Sequence, residues 1–250
     1  MSYHKRLLKN GLTILVYKMP TLRSVAINMI VKVGSRFEND HQKGMAHFIE
    51  HMAFKGTKSR SAQKIAEEFD DIGGQFNAYT SKEQTVYHAK ILQAHTAIAL
   101  EILSDILQNS LFTEQDILRE REVINQEIAA TLDVADDLAF QELSRAAFKD
   151  QTLGCPITGT VDSIAKFSRQ DFLDFIVKYY FAENMYLSLA GNIDIDEVEK
   201  LADKYFAYLP SKGQAKLQAA KFTPGISLID KKLEQSSFII GFEGIPYTQL

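Results

Sequence analysis

Two histidines and a glutamate fall within five positions of one apolar stretch, GMAHFIEHMAFKGT (44–57), as His47, Glu50 and His51. Polar side chains among Met45, Phe48, Ile49 and Met52 are costly unless something pairs with them. On a helix, residues four apart share a face, so His47 and His51 would offer two imidazole nitrogens to one ion. Glu50, about one turn beyond His47, would lie close enough to take a proton from a water held there. The competing reading is a pair of core histidines satisfied by backbone carbonyls.

The order H-x-x-E-H is the inverted form of the H-E-x-x-H zinc pattern. A zinc that does chemistry takes three protein ligands and keeps one position open, so one ligand is missing from this stretch. REREVINQEIAA (119–130) offers it, because Glu120 and Glu127 lie two turns apart on one helical face. Val123 and Ile124 are expected on that face too, which would bury its carboxylates unless they are paired or metal-bound. Glu127 is expected as the third ligand. Glu120 is expected to hold the proton-bearing nitrogen of a ligand histidine; its plainer reading is an ordinary salt-bridging helix residue.

Other elements must position these residues. HKRLLKNGLTILVYKMP reads as two strands around the Asn10-Gly11 turn. SVAINMIVKVGS is a largely apolar and therefore central strand. The metal stretch suits a helix, and SAQKIAEEFDDIGG a second one, capped by Ser61 and stopped by Gly73-Gly74. QFNAYTSKEQTVYHAKIL reads as two strands around Ser81-Lys82. Helical spacing then dominates to about residue 150, with Thr113-x-x-Asp116 as a capping signal. A further helix, the strand NMYLSLAGNI and the helix DIDEVEKLADKYFAYLP follow.

The fold class expected is α+β, an antiparallel sheet packed by several helices. The expected division is a zinc-binding domain over 1–212, a polar Gly/Pro-containing linker over 213–225, and a region over 226–250. In that last region ISLIDKK and SSFIIGFEG read as the opening strands of a second, similarly built unit.

Hydrophobic residues make up 46% and charged residues 24% of the 250, as in a protein with a buried core. A net charge of -4 without a basic tract gives no footprint for nucleic acid. No apolar run approaches the roughly 20 residues of a membrane span, and the N-terminus shows no secretory h-region. The single Cys155 makes no internal disulfide and suits a reducing compartment, so cytoplasm or an organelle matrix is expected.

Several stretches in order resemble landmarks of the pitrilysin family of inverzincin metallopeptidases: LKNGLTILV, VGSRFEND, GMAHFIEHMAFKGT, IGGQFNAYTSKEQTVY, EREVINQEI and LSLAGNI. The resemblance covers nearly the whole chain and is closest to the processing-peptidase branch and its bacterial relatives. It implies zinc (Zn2+) on His47, His51 and Glu127, with Glu50 as general base. It implies that Phe76, Asn77 and Ala78 form a strand edge to which an extended peptide adds its backbone, and that Phe54 lines a pocket for the residue after the scissile bond. In the processing branch, acidic residues beyond the third ligand meet a substrate arginine, and Asp136, Asp137 and Glu142 lie in that region. Family members also carry a second homologous half that supplies an arginine and a tyrosine. A homologous partner half, a partner subunit or a homodimer is therefore expected. The function expected is zinc-dependent endopeptidase activity on extended or presequence-like peptides; the alternative is a non-catalytic scaffold subunit of the same descent.

Overall fold

The chain doubles back at Asn10-Gly11, where Gly11 takes φ 98 and Asn10 Oδ1 accepts the Leu12 N–H at 3.2 Å. Strands β1 (His4–Leu7) and β2 (Thr13–Lys18) flank that turn and pair antiparallel. The computed structural model describes residues 3–215, 217, 219–231 and 236–246. Strand β3 (Ser24–Val31) leads into helices α1 (Met45–Met52) and α2 (Ala62–Asp71). The hairpin β4 (Gln75–Thr80) and β5 (Thr85–Leu92) follows. Helices α3 (Thr96–Asn109), α4 (Glu114–Asp133), α5 (Ala135–Ala147), α6 (Val161–Ile164) and α7 (Arg169–Tyr179) come next. Among the described residues, strand β6 (Met185–Gly191) and helix α8 (Ile195–Phe206) complete the regular structure.

The six strands form one sheet in the order β1-β2-β6-β3-β5-β4. The apolar β3 is central, as its composition predicts, and β4 lies at one edge. The sheet departs from the expected antiparallel pattern at one pair, because β6 runs parallel to β2. A parallel neighbour needs a long crossover, and the helices between β5 and β6 provide it before β6 enters between β2 and β3. Alternate residues such as Ile14, Val16, Val25, Ile27, Met29, Leu187 and Leu189 are buried, whereas Leu15, Tyr17 and Ser188 are only partly covered. Helices therefore cover one face of the sheet.

The caps fall where the sequence puts them. Ser61 Oγ accepts the Lys64 N–H, and Thr113 Oγ1 accepts the Asp116 N–H. At the other end of the chain the strand patterns do not pair. Among the described residues of ISLIDKK and SSFIIGFEG no strand forms. Strands need a neighbour for their N–H and C=O groups, and here the chain is tied to α5 by isolated bonds. Examples are Thr223 N–H to Ala147 O at 2.8 Å and Ser237 Oγ to Asp136 Oδ1 at 2.5 Å. Ile226, Leu228, Phe238 and Phe242 are each at least 85% exposed.

Candidate metal centre

Helix α1 carries the three motif residues on a rigid mount. Met45, Ala46, Phe48, Ile49 and Met52 are buried, which turns His47, Glu50 and His51 toward the one side left partly open. Its start is bolted down by Glu38, whose carboxylate accepts the Gly44 N–H at 2.9 Å and the Ala46 N–H at 2.8 Å. Gly44 itself sits at φ 94, where a Cβ would stand 2.6 Å from the Thr158 carbonyl oxygen. Burial pushes the Glu38 carboxyl up to about 8, although its two backbone donors pull the other way.

Helix α4 packs against α1 and brings the two glutamates. Its buried stripe is Ile117, Glu120, Ile124 and Ile128. Val123, expected on the same face, is instead 39% exposed. It stands about 100° around the helix from Ile124, on which the stripe is centred. Glu127 lies on the same margin of that stripe, with its side chain 42% exposed, where it can reach out of the core toward α1.

The side chains converge. His47 Nε2 is 3.0 Å from Glu127 Oε2, and His51 Nε2 is 3.6 Å from Glu127 Oε1. One ligand atom from each of His47, His51 and Glu127 can be chosen so that all lie within 4.8 Å of one another. Atoms bound to one tetrahedral zinc at about 2.0–2.1 Å stand about 3.4 Å apart. Two imidazoles and a carboxylate on that scale are a donor set that fits zinc. On its other side, His51 Nδ1 is 3.2 Å from Glu120 Oε2, which leaves Nε2 directed at Glu127. Glu120 is buried, and Lys55 Nζ at 2.7 Å from its Oε1 compensates the charge.

Glu50 sits beside this cluster. Its Oε2 accepts from Thr80 Oγ1 at 2.6 Å and lies 3.5 Å from His47 Nδ1. Burial would raise the Glu50 pKa, but hydrogen bonds from His47 and Thr80 outweigh it and hold the carboxylate below its ordinary range. Burial likewise works against a charged His47, yet Glu50 and Glu127 together raise its pKa. Protons therefore compete with a metal for this imidazole.

The residues expected to meet a peptide lie next to this cluster. Phe54 packs edge-to-face on Phe76 at 5.1 Å, and Phe76 stacks on Phe69 at 4.1 Å. These rings, with Ala62, Ile65 and the β4 edge, line a groove. Ala78 is buried, while Asn77 is exposed and its Oδ1 accepts the Ala78 N–H at 2.8 Å. The acidic residues on α5 make other contacts: Glu142 pairs with Arg145 and Ser227, and Asp136 with Ser237. Three polar residues of the site were not assigned from the sequence, namely Glu38, Lys55 and Thr80. All lie inside the landmark stretches quoted above, and that position is the only signal that could have flagged them.

Residues 13–161 match the description "Insulinase (Peptidase family M16)" and residues 166–250 match "Peptidase M16 inactive domain". The boundary between the two matches falls inside the folded unit, since β6 lies in the second stretch yet pairs with β2 and β3. A protein of Rickettsia bellii named as an uncharacterized zinc protease is 53% identical over 243 residues, covering 97% of this chain and 59% of its own length. The probable mitochondrial-processing peptidase subunit beta of Arabidopsis thaliana is 38% identical, covering 96% and 46% respectively. This chain thus spans about three-fifths or less of these relatives. Among solved structures, the periplasmic protease PqqL of Escherichia coli superposes with TM-score 0.80 at 26% identity, over 88% of this chain and 25% of that one. With the first family description matching most of the sequence, the chain belongs to the insulinase family of metallopeptidases, family M16, whose pitrilysin-type motifs it carries.

Proposed function

We propose that this chain is the zinc-binding half of a zinc-dependent endopeptidase that cuts extended peptides. The observation that supports it most directly is the convergence of His47, His51 and Glu127 with Glu50 alongside. In this reading the first three hold zinc. Zinc, when bound, acts as a Lewis acid that polarises a peptide carbonyl and makes water acidic enough to attack it. Glu50 takes the proton of the attacking water and returns it to the leaving amine nitrogen. Glu120, backed by Lys55, keeps the His51 ring oriented with its proton on Nδ1. The free edge of β4 at Phe76, Asn77 and Ala78 receives the substrate backbone as an added strand, and Phe54 lines the adjoining pocket.

The same reading divides the chain into a zinc-binding domain (1–212), a linker (213–225) and the opening of a second homologous unit (226–250). Full activity then needs that second half or a partner subunit. Presequence-like peptides suit the likeness to processing peptidases, whose named β subunit belongs to an enzyme of more than one subunit. A scaffold subunit would have no use for a complete ligand set with its base and supports, so the enzyme reading stands first.

The metal content of chain purified without added metal tests it. About one zinc per chain is expected, lost in Glu127→Ala and in His51→Ala but kept in Glu50→Gln, which abolishes peptide hydrolysis. Normal turnover by Glu50→Gln would sink the general-base assignment, and a parent that takes up no zinc would favour the scaffold.

A further inference from the structure

Thr80 is the last residue of β4, and its Oγ1 donates to Glu50 Oε2 at 2.6 Å. Among the described residues its only other acceptor, the Ala46 carbonyl, is at 3.5 Å, the outer limit of a hydrogen bond, so the hydroxyl proton is committed to Glu50. His47 Nδ1 approaches the same Oε2. Both neighbours thus engage one oxygen of the carboxylate.

Thr80 is itself held from both sides. Within the sheet it faces Thr85 on β5. Just beyond it, Ser81 N–H bonds to Gln84 O at 2.8 Å, and Ser81 O accepts the Ser35 N–H at 3.3 Å. Arg36 N–H also reaches Lys82 O at 2.8 Å. Gly34 makes that contact possible, because a Cβ there would stand 2.2 Å from Ser81 O. A β-branched side chain on so fixed a backbone has few rotamers, so the hydroxyl points to one place at little entropic cost. Phe76, Ala78 and Thr80 alternate along the face of β4 that meets α1. The strand edge proposed to receive the peptide and the carboxylate proposed to take the proton are joined by this one hydrogen bond.

We infer that Thr80 is a positioning residue that anchors Oε2 of Glu50 to the end of the edge strand and leaves Oε1 for the reacting proton. The inference rests on the reading of Glu50 as proton acceptor, but the contact itself can be tested without metal or turnover. Thr80→Val keeps the shape and removes the donor. In the metal-free chain it should lower the urea midpoint in the parent, cause no comparable shift in a Glu50→Ala background, and be rescued by Thr80→Ser. Equal shifts in both backgrounds would mean that the threonine serves the strand alone and would overturn the proposal. In the assembled enzyme, Thr80→Val should lower kcat at least tenfold, with KM and zinc content unchanged, and Thr80→Ser should restore it. Loss of zinc from Thr80→Val, or a KM effect without a kcat effect, would also overturn it. Absence of zinc from the parent would count against the metal reading instead, and the metal-free cycle would still decide the contact.

Discussion

Glu38 shows how much a single buried group can decide. It is 4% exposed, and burial raises its carboxyl from an ordinary 4.5 to about 8. Between those values the folded chain keeps a proton that the unfolded chain has released, so the contribution of Glu38 to stability falls as pH rises. His47, also raised, changes stability in the same direction, and the difference between parent and Glu38→Gln reports Glu38 together with its interaction with His47. The urea midpoint of the metal-free chain should drop between pH 5 and pH 8, and Glu38→Gln should flatten part of that drop. An unchanged slope would show that Glu38 is ionised throughout, with the first turn of α1 stabilising its charge. At this scale His47, Glu50 and His51 were legible because their spacing is local. Glu38, Lys55 and Thr80 were not, because each owes its role to a contact: with the start of α1, with Glu120 on α4, and with Glu50 from β4.

Two helices and one strand edge make the centre, and the start of α1 is its most constrained joint. Glu38 holds the first turn, Gly44 has a left-handed backbone, and Ser163 Oγ donates to Lys43 O at 2.7 Å. A side chain at position 44 would meet the Thr158 carbonyl, and Gly159 is closer still, its own Cβ position being 2.3 Å from Lys43 O. Gly44→Ala should therefore cost roughly 1–2 kcal/mol from the left-handed backbone alone, with the collision adding to it. It should also weaken zinc binding, since α1 must tilt to relieve the contact. Thermal unfolding with a chelator competition titration checks both. Unchanged zinc affinity at lowered stability would mean that α1 moves as a body with α4. The helices, their caps at Ser61 and Thr113, and the β4–β5 hairpin were readable from local pattern. The burial of Glu120 against the margin position of Glu127 was only half readable, because periodicity names a face and not the depth to which it sinks.

For the whole molecule, the sheet and helices account for the chain to about Leu209, and several described residues beyond carry apolar side chains with little to cover them. Ile240 and Ile245 are exposed along with Phe238 and Phe242. Surfaces of this kind drive association, so the chain is expected to sediment as a dimer or larger species at micromolar concentration. A strictly monomeric boundary in sedimentation velocity would contradict this. ISLIDKK and SSFIIGFEG read as strands in sequence, yet among the described residues no ladder forms, because pairing depends on a neighbour that pattern alone does not supply.

By itself, the sequence determined the helical spacing of His47, Glu50 and His51, the seven-residue step from Glu120 to Glu127, and the local turns and caps. Those follow from 3.6- and 2-residue periodicities, which act over a few residues. Only the tertiary structure decided that β6 enters parallel to β2 and that α4 lies against α1 with Glu127 at the rim. It also decided that Lys55 pairs with Glu120 and that Thr80 reaches Glu50. These are choices among long-range packings, and nothing in the local pattern distinguishes one from another.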